Sequence, residues 1–340
     1  MKKVMVTGGT GYLGSWIVKF LLDRGYDVQL PVRDSSKNNR HEFLIEFAKQ
    51  SPGNLKIWYK ANLLKEGAYL LPMQGCESVF HVASPFTIQS KKPNKELIEP
   101  AVKGTQNILE AANQTSSVKR VVLTSSVAAI YGDNIDMQEQ GVERFNESYF
   151  NSSSSLNHQP YSFSKLLAEK MAWEIYQNQK KWDLVVINPS FILGPVLSKT
   201  SNSESINFMN DILKGKFYFG APGLILSYVD VRDVALAHIV ASEKESSQGR
   251  HIIANEPFSI LQITNFLKEL YGKQFKLPKS EAPKWLTYLI GPLFVVTRKF
   301  VKRNIGYPLF LDNEKSKQSL GIEYTSMKKT LDDMVKSLLE

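Results

Sequence analysis

Through the first half of the chain, short runs of β-branched and apolar residues alternate with stretches in which apolar residues recur at helical spacing. Val4-Met5-Val6 halts at Thr7-Gly8-Gly9, and Leu13, Trp16, Ile17, Phe20 and Leu21 then mark one helical face. This pattern predicts a strand, a tight turn and a helix ending near 23–25. Further strands are expected over 27–32, 56–59, 78–83, 120–126 and 183–188, with helices over about 94–112 and from 161 onward. The run Arg120-Val121-Val122-Leu123-Thr124-Ser125-Ser126 is apolar until its carboxyl end, as a strand buried on both faces of a parallel sheet should be. Beyond 189 the alternation loosens. A strand over 228–233, a helix over 234–241, a strand over 250–254 and a closing amphipathic helix over 326–339 are predicted there, and no internal repeat is visible. The serine-rich stretch 151–155 is a short polar loop, too short to link independent domains.

Composition narrows the class. A chain of 340 residues, 43% hydrophobic, can bury one large core or a core with a smaller lobe. The apolar stretch behind Met1-Lys2-Lys3 is broken by Gly8 and Gly9, so no secretory segment is expected. The longest apolar run, 285–297, is interrupted by Gly291 and Pro292 and is shorter than the ~20 residues of a membrane span. Cys76 is the only cysteine, which fits a reducing compartment and a cytoplasmic setting, and gives the sequons at Asn113, Asn146 and Asn151 little weight. The net charge of +9 is spread along the chain, with no clustered stripe for nucleic acid. Arg298, Lys299, Lys302 and Arg303 lie beside the apolar stretch, which suits either contact with an anionic membrane surface near 285–303 or a packed helix with a solvated basic end. Five scattered histidines give no ligand spacing for a metal, and His81, inside an apolar strand, reads as structural. Monomer and homodimer both remain open.

The candidate chemistry begins at the glycines. Gly8 permits the turn, Gly11 admits a ligand close to the backbone, and Gly14 lets the helix approach the strand, while the helix N-terminus offers N–H groups to a pyrophosphate. The expected fold is therefore α/β, a Rossmann-type doubly wound parallel sheet with a smaller, discontinuous, mostly C-terminal α/β substrate lobe. The nucleotide-binding domain takes 1–190 plus about 227–254, and the lobe about 191–226 plus 255–340. After the second strand comes Arg33-Asp34, where an arginine suits a 2′-phosphate and an acid a 2′-hydroxyl. With Lys37 and Arg40 following, the chemistry favours NADP(H) over NAD(H), Asp34 being turned away. Ser125 and Ser126 sit where open α/β sheets place ligands. Tyr161 and Lys165, four residues apart, share a helical face, and an ammonium there lowers a phenol pKa toward neutrality.

With those residues assembled, the chain resembles the extended short-chain dehydrogenase/reductases over nearly its whole length. The resemblance is carried by TGGTGYLG (7–14), HVASP (81–85), GTQNILEAA (104–112), VVLTSS (121–126), YSFSK (161–165), NPSFILGP (188–195) and YVDVRDVA (228–235). It is strongest to the branch of dihydroflavonol, cinnamoyl-CoA and aldehyde or methylglyoxal reductases. The resemblance implies a cofactor site formed by Thr7, Gly8, Thr10, Gly11, Tyr12, Leu13, Gly14, Arg33, Lys37, Arg40, Asn62, Leu63, Val82, Ala83, Ser84, Ser125, Tyr161, Lys165, Pro189 and Ser190. It also implies that Tyr161 protonates the nascent alkoxide, Lys165 holds the nicotinamide ribose, Ser126 or Ser125 binds the substrate carbonyl, and Asn107 orders water or backbone near Lys165. Two departures stand out. Asn62-Leu63 replaces the usual Asp-Leu at the adenine, and Ile130 and Ser227 lie where flavonoid reductases carry polar substrate contacts, so a flavonoid substrate is not supported.

The expected activity is NADPH-dependent reduction of an aldehyde or ketone to an alcohol, on a small-molecule substrate. Phe191, Phe208, Phe217, Tyr218 and Phe219 suit an apolar substrate or the core of the lobe. An NAD-dependent sugar-nucleotide epimerase or dehydratase, or a hydroxysteroid-type dehydrogenase, shares the scaffold, and Arg33 argues against the NAD-retaining forms. A redox-sensing dinucleotide-binding module is the non-enzyme alternative, disfavoured by intact Ser126, Tyr161 and Lys165.

Overall fold

The computed structural model describes residues 1–33, 40–84, 92–198, 203–294 and 296–340. In chain order, β1 (Lys3–Thr7), α1 (Tyr12–Asp23), β2 (Asp27–Pro31), α2 (Glu42–Gln50), β3 (Asn54–Trp58), α3 (Leu70–Met73) and β4 (Ser78–His81) form the first half of the nucleotide fold. A π-helical turn, Asn94–Ile98, leads into α4 (Glu99–Gln114), followed by β5 (Arg120–Thr124), α5 (Asp136–Gln140), α6 (Pro160–Gln177), β6 (Asp183–Pro189) and β7 (Phe191–Leu193). Then come α7 (Glu204–Leu213), β8 (Ala221–Pro222), β9 (Ile225–Asp230), α8 (Val231–Glu243), β10 (Gly249–Ile253), β11 (Pro257–Ser259), α9 (Ile260–Tyr271) and β12 (Glu281–Ala282). The chain closes with α10 (Lys284–Ile290), α11 (Arg298–Asn304), α12 (Glu314–Leu320) and α13 (Met327–Leu339).

Seven strands make one parallel sheet in the order β10-β6-β5-β4-β1-β2-β3. The order reverses between β1 and β4, and the crevice at the carboxyl ends there is where a doubly wound sheet binds its ligand. Alternation within β1 explains the layering, because Val4 and Val6 join one apolar cluster and Met5 the other, so helices pack on both faces. Ile17, Leu21 and Leu22 of α1 are fully buried against the first face, each contributing about 1.5–3 kcal/mol of transfer free energy.

Beyond the large sheet, β11-β9-β7 form a three-stranded sheet and β12-β8 a parallel pair. The strand expected over 228–233 is β9, which ends earlier: Asp230 is its last residue and caps α8, its carboxylate accepting the Arg232 N–H at 2.8 Å. A domain division at 227 therefore falls inside β9, and one apolar cluster runs from α1 through Tyr228 and Ile263 to Met334 without a break. No helix among the described residues is long and apolar enough to cross a membrane. In α11, Val301 and Asn304 are buried while Lys302 stays exposed, the arrangement of a packed helix with a solvated basic end.

Candidate active site

The glycine turn is built by close approach. Gly8 has φ +71°, and a Cβ there would lie 2.8 Å from the Ala83 backbone, while one on Gly14 would lie 2.2 Å from the Gly8 carbonyl oxygen. Gly11 is different: a Cβ there would meet only the Gly8 oxygen, at 3.2 Å, so the space above the N-terminus of α1 is open. Gly11 is the N-cap and no side chain caps the helix, which leaves backbone donors and the positive dipole end facing that space. Gly9 adds a packing role not read from the sequence, since a Cβ there would strike Leu30 and Val18.

Several expected cofactor contacts have side chains committed elsewhere. Thr7 is buried, its hydroxyl 2.8 Å from His81 Nδ1 and accepting the Ala83 N–H at 3.2 Å. The Tyr12 hydroxyl donates to the Gly194 carbonyl at 2.6 Å, and Trp16 Nε1 donates to Pro195 at 2.9 Å. Thr7 and Tyr12 thus have their side chains engaged within the protein. Asn62 Oδ1 accepts the Leu64 N–H at 2.9 Å in a tight turn, which leaves that oxygen a second lone pair. Leu63 packs against Gly104, and Asn107 donates to the Leu63 carbonyl at 2.8 Å, so Asn107 braces the loop after β3. Arg33 and Arg40 are exposed on the loop after β2, Val82, Ala83 and Ser84 are half-buried after β4, and Pro189, which ends β6, and Ser190 are buried. Asp34, Lys37 and Pro85 lie outside the described residues.

The two serines ending β5 have opposite fates. Ser125 is buried and donates to the carboxylate of Glu169. Ser126 is half-exposed, caps a short 3₁₀ turn by accepting the Ala128 N–H at 3.1 Å, and hydrogen-bonds the Tyr161 hydroxyl. Lys165, one turn along α6, is buried with its Nζ 5.9 Å from the centre of the Tyr161 ring. Ser126 alone of the pair faces Tyr161.

Electrostatics here differ from the sequence expectation. Tyr161 keeps part of its surface open, yet protein crowds its other sides, and this desolvation raises the phenol pKa, opposed by the Ser126 hydrogen bond. The neighbouring lysine does not bring it toward neutrality in the cofactor-free protein, so Tyr161 is a protonated acid at neutral pH. Burial lowers Lys165 to about 8, with the charge of Glu169 opposing. His81 is fully buried, lowered to about 3 by burial and then by Lys165, and stands neutral between Thr7 and Thr105. Both of its ring nitrogens meet threonine hydroxyls.

A second cluster supports the start of α6. Gln159, the N-cap, adopts φ 53°, a left-handed conformation unusual for glutamine, and its side-chain amide donates to the Gly132 carbonyl at 2.6 Å and to Asp133. Asp133 also binds Asn304 Nδ2 at 2.6 Å, Arg303 Nε at 2.6 Å and His158 Nε2 at 2.8 Å. Burial pushes its carboxyl up, but these bonds outweigh burial and hold it below the usual range. Of this cluster the sequence offered only Arg303, as part of a basic surface and not as a partner of Asp133; Glu169 was not singled out either. His/Cys/Asp/Glu groupings able to hold a metal are absent among the described residues.

A glycine-lined helix N-terminus at the reversal of a parallel sheet, with a Ser/Tyr/Lys set at the neighbouring strand end, defines the class of nucleotide-dependent oxidoreductase domains. Residues 4–254 match the model of the NAD dependent epimerase/dehydratase family, and the chain belongs to that family, as an extended short-chain dehydrogenase/reductase. Cinnamoyl-CoA reductase CAD2 of Medicago truncatula is 36% identical over 342 residues, covering 99% of this chain and 95% of the relative. An anthocyanidin reductase of Vitis vinifera is 36% identical over 286 residues, covering 82% and 83%. Among solved structures, Gre2 of Candida albicans in complex with NADPH superposes with a TM-score of 0.81 at 27% identity, covering 100% of this chain and 99% of that one. Yeast methylglyoxal/isovaleraldehyde reductase Gre2 complexed with NADPH gives 0.80 at 28%, covering 99% and 98%.

Proposed function

We infer that the chain reduces an aldehyde or ketone to the corresponding alcohol with NADPH. The observation that carries this reading is the Tyr161 hydroxyl hydrogen-bonded to Ser126, with buried Lys165 one helical turn away. The reductase relatives and the NADPH complexes of the Gre2 structures support it.

The residues fit the cofactor. The uncapped N-terminus of α1, open above Gly11, would take the pyrophosphate, and exposed Arg33 and Arg40 would take the 2′-phosphate. Asn62 and Leu63 would flank the adenine, Ala83 and Ser84 the middle of the molecule, and Lys165, Pro189 and Ser190 the nicotinamide end. When bound, NADPH supplies the hydride. Ser126 and Tyr161 together hold the substrate carbonyl oxygen. Tyr161, protonated in its desolvated setting, gives its proton to that oxygen as negative charge develops. Lys165 places a positive charge beside the phenolate left behind and favours its formation. Half-buried Phe191, Phe208 and Phe217 pack on one another and on the core, whereas Phe219 is 98% exposed, so the first three act as lobe core.

A panel of aldehydes and ketones assayed with NADPH and with NADH tests the assignment, repeated on Tyr161→Phe. Turnover with NADPH is expected, and the variant should lose nearly all of it while keeping cofactor affinity. No NADPH oxidation across the panel, or full activity in the variant, overturns the reading. Membrane-surface contact rests on α10, which leaves Trp285 65% and Leu289 56% exposed beside Lys284, and sedimentation with anionic lipid vesicles tests it.

A further inference from the structure

Glu169 lies one turn beyond Lys165 on α6 and is 1% exposed. Its carboxylate accepts from Ser125, from Asn188 Nδ2 at 2.8 Å and from Trp173 Nε1 at 3.3 Å, and it pairs with Arg250 Nε at 2.5 Å. Two N–H donors and the Arg250 guanidinium converge on this carboxylate, whose oxygens serve them as acceptors. Burying such a charge is costly, and Arg250 offsets it from one side only.

The other side opens on a cavity of about 10 Å³, lined by Glu169 together with Lys165, His81, Thr105, Thr124 and Ser125. That is room for about one water molecule. Lys165 is buried and makes no ion pair with any described residue. The groups facing it are few: neutral His81 from β4, the Thr105 hydroxyl from α4, Thr124 and Ser125 from β5, and Tyr161 and Glu169 from its own helix, with Arg250 of β10 behind Glu169. Among these, Glu169 is the one anion.

We propose that Glu169 is a positioning residue: acting across the cavity it shares with Lys165, it keeps the lysine charged beside Tyr161, and Arg250 sets how much of that field Lys165 feels. This rests on the reading of Tyr161 and Lys165 given above. The Lys165–Glu169–Arg250 series alternates in charge from the site to β10, so removing the middle charge and removing the end charge act on Lys165 in opposite directions. A merely structural role would not produce opposite signs.

The test is the titration of Lys165 in the cofactor-free protein, followed by NMR of ¹³Cε-labelled lysine with the signal assigned from Lys165→Met. In Glu169→Gln the midpoint should fall by on the order of one pH unit, and in Arg250→Gln it should rise. Unmoved midpoints, or midpoints moving in the same direction, overturn the proposal. If Glu169→Gln does not fold, the direction of the shift in Arg250→Gln decides. No substrate enters this measurement, so active Tyr161→Phe would sink the functional reading alone, whereas unmoved midpoints beside inactive Tyr161→Phe would sink this proposal alone.

Discussion

Thr7 Oγ1 stands 2.8 Å from His81 Nδ1 and 3.2 Å from the Ala83 nitrogen, so one buried hydroxyl fastens the end of β1 to the loop after β4, beside the glycine turn. Replacing Thr7 with valine keeps the shape and leaves the half-buried Ala83 N–H and the buried imidazole short of a partner. A loss of about 1–3 kcal/mol is expected by urea unfolding, with weakened NADPH binding.

The same imidazole makes the protein sensitive to acid. His81, His238 and His251 are held at about 3, 4 and 4 by burial, below the 6.5 of a free histidine. Between those values and 6.5 the unfolded chain binds more protons than the folded one, so these groups lower stability as pH falls from about 6.5. Asp233, raised to about 6 by burial, acts in the opposite sense between 3.8 and 6, and so does Glu204, which burial also raises, but these are two carboxyls against three histidines. Melting temperature should therefore drop steadily from pH 7 to pH 4.5. A flat profile would contradict neutral buried histidines.

Lys165 gives an alkaline counterpart. Lowered to about 8, it leaves the folded state with fewer protons than the unfolded chain up to about 10.5, so its contribution to stability rises across that window. Activity runs the other way, because loss of the ammonium removes charge from beside Tyr161. The rate at low substrate should decline above about pH 8, and a limb near 10 would refute this.

Gly14 and Gly25 separate two reasons for a glycine. At Gly14 a Cβ would sit 2.2 Å from the Gly8 oxygen, whereas Gly25, at φ +76°, has nothing within 4 Å. Gly14→Ala should force α1 off the Gly8-Gly9 turn and abolish NADPH binding, and Gly25→Ala should cost only the left-handed strain, about 1–2 kcal/mol, with binding kept. Isothermal titration and thermal unfolding distinguish them.

Asp133 joins His158, Gln159, Arg303 and Asn304, and so ties α11 to the turn that aims Tyr161. Asp133→Ala strips a buried charge from its partners and should cost about 3–5 kcal/mol. The turnover rate should fall with it, since Gln159 loses an anchor two residues before Tyr161. Urea melts and steady-state rates check both.

The sheet and the glycine cradle were readable because continuous apolar strands and a glycine-spaced turn depend on local sequence. The small sheet was not. Tyr228-Val229-Asp230-Val231-Arg232-Asp233 alternates like a strand throughout, and only the capping bond from Asp230 shows that the helix begins at Val231. Glu169 was equally hidden, because a glutamate four residues after a lysine reads as an exposed helical pair until Asn188 and Arg250 arrive from other strands. The choice between Ser125 and Ser126 also needed tertiary structure, since it turns on which hydroxyl meets Glu169.

The bonds from Tyr12 and Trp16 to Gly194 and Pro195 rivet α1 to the segment that leaves the large sheet. Any swing of that segment must drag α1 along or break both rivets.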